Sequence, residues 1–139
     1  MKKIRVLIFD DEEGIRNIFK MVLKGRDYEI FDFENPAMCP VYYEPECNCP
    51  LNTMCTDIII TDIRMPEVDG LEFVRKQKEK GCKVQNIMIT SAYVEPDVLK
   101  EIEAMGVRFL RKPFNIDEFL AIIDEFEANV DPDRDLSNW

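Results

Sequence analysis

Four apolar runs along this chain each end on a side chain suited to chemistry rather than to packing. IRVLIF leads into Asp10 and Asp11, DIIIT into Asp62, NIMIT into Ser91, and GVRFLRKP contains Lys112. Short continuous runs of this kind, separated by stretches of helical spacing, predict strands buried on both faces of a parallel α/β sheet. The carboxyl ends of such strands share one edge, so residues distant in sequence converge on one crevice outside it. Three carboxylates, a hydroxyl and an ammonium would meet there, a set suited to phosphoryl and metal chemistry.

A length of 139 residues with 46% hydrophobic content suits one domain with a sizeable core. The formal charge of −10, from 28 acidic against 18 basic residues, argues against nucleic-acid binding and points to protein partners. Histidine is absent, which removes histidine bases, histidine metal ligands and a phosphohistidine relay within the chain. The start, MKKIRVLIFDDEE, has too short an apolar stretch for a signal peptide or a membrane span, so the chain reads as cytoplasmic.

Periodicity places the helices. Ile15, Ile18, Phe19, Val22 and Leu23 follow the spacing of a buried stripe, with Gly25 as the stop. YEIFDF reads as the second strand. Asp69 is placed to cap a helix that turns Leu71, Phe73 and Val74 inward and ends near Gly81. Glu95 and Pro96 open the next helix, which buries Leu99, Ile102 and Met105 and stops at Gly106. Asn115 with Glu118 resembles a capping box for a last helix carrying Ile116, Phe119, Leu120, Ile123 and Phe126. From about Asn129 the chain is polar and broken by proline, so a loosely held tail over 129–139 is expected, with no output domain after it.

Asp10, Asp11 and Asp62 would repel one another at one edge unless a cation relieved them, and Mg²⁺ prefers such oxygen ligands. One carboxylate could then attack phosphorus to give an aspartyl phosphate. Lys112 would pair with a phosphoryl oxygen, and the Ser91 hydroxyl would donate a hydrogen bond.

Through VLIFDDEE, IIITDIRMPEVDGLEF, ITSAY and RFLRKPF, in that order, the chain resembles the receiver domain of two-component response regulators over roughly residues 3 to 127. The resemblance implies a flavodoxin-like, doubly wound (βα)5 fold with strand order 2-1-3-4-5, five helices and a cis Lys112–Pro113 bond. It implies Asp62 as phosphoacceptor, Asp10 and Asp11 as the Mg²⁺-holding acids, and the backbone carbonyl of Arg64 as a further ligand. Ser91 and Phe109 fall at the switch positions, Lys112 at the phosphate-pairing position. The implied function is that of a stand-alone signalling module rather than an enzyme. It would be phosphorylated from a histidine kinase and catalyse its own phosphorylation and dephosphorylation. Modification of Asp62 would draw in Ser91 and Lys112, let Phe109 turn, and reshape the surface of helix 4, strand 5 and helix 5 for a downstream protein partner.

The spacing from Gly106 to Lys112 is one residue tighter than the family pattern. A larger departure is the segment 36–56 within the receiver body 1–128, where a cysteine-rich insertion replaces the second helix region. Cys39, Cys47, Cys49 and Cys55 follow a C-x7-C-x-C-x5-C spacing that matches no common zinc finger. Cys82 is expected near Cys55, because the strands that follow them are neighbours in this topology. An all-sulfur Zn²⁺ or iron–sulfur site, free buried thiols and a disulfide are the readings left open. Two further functions follow: a receiver-fold scaffold for cysteine-based metal or redox sensing, and a phosphatase using Asp62 as a transient nucleophile.

Overall fold

The computed structural model describes residues 3–38 and 53–136. In chain order its elements are β1 (Arg5–Phe9), α1 (Glu13–Leu23), β2 (Glu29–Phe33), a 3-10 turn (Pro36–Met38), β3 (Thr53–Met54) and β4 (Ile58–Asp62). They continue with α2 (Gly70–Glu79), β5 (Asn86–Ser91), α3 (Pro96–Ala104), β6 (Arg108–Arg111), α4 (Ile116–Asn129) and β7 (Asp135–Leu136). Five strands form one parallel sheet in the order β2-β1-β4-β5-β6; counting its strands alone, this is the expected 2-1-3-4-5. β3 and β7 form a separate two-residue pair, Thr53 with Asp135 and Met54 with Leu136.

The central strands β4 and β5 are buried at every position because helices cover both faces of the sheet. Alternate side chains divide the core into two layers. On one face Leu7, Phe9, Ile59, Ile87 and Ile89 pack against Leu71, Phe73 and Val74 of α2 and Ile102 of α3. On the other, Val6, Ile8, Ile58, Ile60 and Met88 pack against Phe19 and Leu23 of α1 and against Phe119, Ile122, Ile123 and Phe126 of α4.

The helix stripes are centred slightly away from where spacing alone places them. Ile18 is 41% exposed and Ile116 51% exposed, against the expectation of burial. A residue turns by about 100° per step around a helix, so Ile18 lies roughly 100° from Phe19, outside the face that Phe19 and Leu23 press into the sheet. In α4 the buried row is Phe119, Ile122, Ile123 and Phe126, with Leu120 half-buried on its flank and Ile116 outside it in the first turn. Leu99 and Met105 are likewise half-buried, while Ile102 is fully buried.

Four α-helices are present among the described residues, against the five that the resemblance implied. The 3-10 turn opens the cysteine-bearing insertion, and Cys39, Cys47 and Cys49 lie outside the described residues. The expected loose tail is also corrected over its described part, 129–136. Arg134 is 2% exposed, and its Nε and Nη2 donate to Asp57 Oδ1 and Oδ2, each at 2.7 Å. A buried carboxylate ahead of β4 therefore anchors the segment after α4. None of the described helices is long and apolar enough to cross a membrane.

Candidate functional site

Four strands end where their last residue or the one after it reaches the crevice. Asp10 follows β1, Asp62 and Ser91 close β4 and β5, and Lys112 follows β6. The Lys112 amide donates to Ser91 O at 2.9 Å, which ties the last two strand ends together. The Lys112–Pro113 bond is cis, as expected. The Lys112 ammonium donates to Asp10 Oδ2 at 2.8 Å and to Asp62 Oδ2 at 3.2 Å, so one cation bridges two buried acids.

Asp10 is 1% exposed and Asp62 8% exposed, whereas Asp11 is open to solvent. One oxygen from each of the three lies within 4.8 Å of the others. Three acids against one lysine leave the cluster short of positive charge, and its hard oxygen donors, one of them solvent-facing, fit Mg²⁺. A cavity of about 270 Å³ opens beside them, lined by Asp11, Glu12, Asp62, Arg64, Ser91, Ala92, Tyr93 and Lys112. The Ser91 hydroxyl donates to Tyr93 O at 3.1 Å, within the cavity wall. Phe109 lies half-buried against the core layer that contains Ile89 and Val107.

Asp62 has its remaining carboxylate oxygen, Oδ1, bonded by the Ile63 amide at 2.8 Å. Burial pushes its pKa above the ordinary carboxylate range, and the charge of Asp10 adds to this, while Lys112 opposes it. Burial would lower Lys112, but its bonds to Asp10 and Asp62 outweigh that and hold the ammonium protonated. Ionised Asp62 therefore costs stability, in the manner of functional groups held for chemistry rather than for folding.

Replacing Asp62 by Asn is accordingly expected to stabilise the Mg²⁺-free protein by about 1 kcal/mol at neutral pH. A raised carboxyl pKa favours folding while the group is protonated, and that advantage is lost as pH rises through the folded-state value. The gain from Asn should thus be full above that value and disappear as pH falls toward the unfolded one. Urea unfolding of both proteins at neutral and acid pH checks this. Mg²⁺ should narrow the gap by stabilising the wild type.

Gly70 is a positioning residue that periodicity did not reveal. Its amide donates to Ile63 O at 2.7 Å, and the helix it opens packs so closely on β4 that a side chain would collide with the Asp62 backbone. The available signal was a glycine directly after the capping Asp69, a place that good helix formers or proline usually fill.

The chain belongs to the response regulator receiver domain family, whose model matches residues 6–124. Aspartyl phosphate and Mg²⁺ are typical of this family of two-component phosphoacceptor domains. The chain is 32% identical over 120 residues to a probable transcriptional regulatory protein of Picosynechococcus sp., covering 86% of this chain but 47% of that one. It therefore spans less than half the length of that relative. It is 27% identical over 127 residues to the sporulation initiation phosphotransferase F of Bacillus subtilis, covering 91% of this chain and 95% of that one. The non-phosphorylated HemR receiver domain of Leptospira biflexa superposes with a TM-score of 0.75 at 21% identity, over 94% of this chain and 98% of that one, a likeness of fold.

Proposed function

We propose that Asp62 accepts a phosphoryl group from the phosphohistidine of a histidine kinase and that the modified form is read by a protein partner. The observation that carries this reading is the Lys112 ammonium held between Asp10 and Asp62 at the mouth of an open cavity. In the transfer, Asp62 Oδ2 attacks phosphorus, the P–N bond to the donor imidazole breaks, and that nitrogen takes a proton from solvent. Lys112 lies where charge develops on the phosphoryl oxygens. Asp10, Asp11 and Asp62, with the Arg64 carbonyl, would hold Mg²⁺, which when bound supplies the remaining positive charge.

The switch runs through Ser91 and Phe109. A phosphoryl oxygen on Asp62 offers the Ser91 hydroxyl a charged acceptor in place of Tyr93 O. The loop after β5 would follow it, altering the face built by α3, β6 and α4. The net charge of −10 supports a protein rather than a nucleic acid as the partner of this domain. Kinase and receiver must share a compartment, which we read as the cytoplasm. In the proposed organisation residues 1–128 form the receiver body, 36–56 its insertion and 129–139 the tail.

Incubation with Mg²⁺ and acetyl phosphate, followed by intact-mass measurement, tests the assignment. One phosphoryl adduct is expected on the wild type and none on Asp62→Asn. An adduct of equal abundance on both proteins would place the acceptor elsewhere.

A further inference from the structure

All four polar atoms of Asp10 are bonded, one of them by a side chain that the phosphoryl chemistry does not use. The Asp10 amide donates to Phe33 O at 3.1 Å, Oδ1 accepts the Glu12 amide at 2.9 Å, and Oδ2 accepts the Lys112 ammonium. The carbonyl oxygen is bonded by Arg16, whose Nη1 donates at 2.6 Å from the first turn of α1. Arg16 is itself held. Its Nε donates to Asp32 Oδ2 at 2.9 Å, and Lys20, four residues along the same flank of α1, reaches Asp32 Oδ1 at 3.2 Å. Asp32 lies in β2 on the face of Ile30, which packs in the layer that meets α1. Burial would raise its pKa, but the bonds to Arg16 and Lys20 outweigh that and keep it below the ordinary carboxylate range. The Arg16 and Asp32 side chains are 15% and 24% exposed, so water competes little for their contact.

What the Arg16 bond governs is the Asp10–Asp11 peptide. The Asp10 carbonyl and the Asp11 amide lie in one plane, so a donor fixed on the oxygen sets that plane and the direction in which Asp11 leaves it. The Asp10 side chain needs no such help, since Glu12 and Lys112 already hold it. Asp11 does. It is exposed and its carboxylate has no bond among the described residues, yet one of its oxygens lies within 4.8 Å of those of Asp10 and Asp62. A guanidinium suits the task, because its planar fork serves Asp32 and the carbonyl at once, which a single ammonium does not. Pairing with Asp32 also offsets its charge, so the arginine places a ligand with little repulsion of the cation that the ligand would hold.

We propose that Arg16, braced by Asp32, is a positioning residue for Mg²⁺: it orients the Asp10–Asp11 peptide so that the Asp11 carboxylate meets the ion beside Asp10 and Asp62. The inference rests on the reading of those three acids as the Mg²⁺ site.

The test is a Mg²⁺ titration of the full chain followed by amide NMR, which gives the affinity without any phosphoryl transfer. Arg16→Gln is expected to weaken Mg²⁺ binding about tenfold, the lower end of what losing a hydrogen-bonded partner of a metal ligand costs. The direction is decisive. Loss of a cation near the site would by charge alone tighten Mg²⁺ binding, and a contact that merely staples α1 to β2 would leave it unchanged. Lys20→Gln is the control, because it removes the same charge and a bond to Asp32 but none to Asp10. Its affinity should stay within about twofold of the wild type, since that ammonium is 40% exposed and screened from the ion. Without Mg²⁺, the Asp11 amide resonance should move in Arg16→Gln and keep its place in Lys20→Gln. Should Arg16→Gln fail to fold, Arg16→Lys keeps a charge for Asp32 and is expected to weaken binding about threefold, for want of the fork. Wild-type or tighter affinity in the arginine variant that folds, or an equal weakening in Lys20→Gln, would overturn the proposal. A wild type whose resonances do not respond to Mg²⁺ would instead end the Mg²⁺ reading, and with it the inference built on it.

Discussion

Gly70→Ala is expected to cost about 3 kcal/mol of folding stability, at the upper end of what overpacking a well-filled site does. A Cβ on Gly70 would overlap the Asp62 carbonyl oxygen and lie 2.8 Å from its carbon and 3.0 Å from Thr61 Oγ1. Neither side can retreat cheaply. β4 is hydrogen-bonded to β1 and β5 along its length, and the Thr61 hydroxyl donates to the same Asp62 oxygen at 2.9 Å. The Gly70 amide is held by Ile63 O, so moving α2 outward breaks that bond and tilts the segment 63–69 that borders the crevice. Loss of stability and loss of Mg²⁺ affinity should therefore appear together. Gly14 is the control, because a Cβ there meets nothing within 4 Å in the first turn of α1. Gly14→Ala should gain up to about 1 kcal/mol from helix propensity. Equal urea midpoints for the wild type and Gly70→Ala would show that the helix adjusts without strain.

Gly70 also shows where reading a sequence stops. Asp10, Asp62, Ser91 and Lys112 were legible because a parallel sheet places the residue after every apolar run on the same edge, whatever the details of packing. The caps at Asp69 and Asn115 were legible for a local reason: each side chain accepts the two amides that the helix start leaves unpaired. For Asn115 only that half of the capping box forms among the described bonds, with Glu118 contributing its amide. The close approach of α2 to β4 depends instead on the distance between two elements, which no periodicity encodes. Ile18 was misplaced because spacing identifies a stripe without its centre, and Ile116 because spacing does not show that the first turn of α4 stays exposed. Cys55 and Cys82 in one core layer were legible once strand neighbours were assigned, since both precede adjacent strands.

The buried tail contact had no such signal, since a polar, proline-broken stretch reads as solvated and the partner of Arg134 lies 77 residues away. Its removal should have a large effect. Arg134→Met is expected to cost about 3 kcal/mol, the lower end of the range for breaking a buried ion pair. The guanidinium makes two bonds to Asp57 and a third, at 3.1 Å, to Lys3 O. Asp57 also accepts the Arg5 amide at 2.9 Å, so its carboxylate stays at the start of the sheet when the arginine is gone. The loss is then the cost of a buried charge without its counter-ion, rather than the value of the pair itself. A double-mutant cycle separates the two. Asp57→Asn combined with Arg134→Met should recover more than half of the loss, because the amide oxygen still accepts from Arg5 and no net charge is left buried. The single variant should also expose residues 131–136 to proteolysis, since among the described residues β7 pairs with β3 at two positions. A loss below about 0.5 kcal/mol, the range of ordinary surface substitutions, would mean that the tail rests on the domain without supporting it.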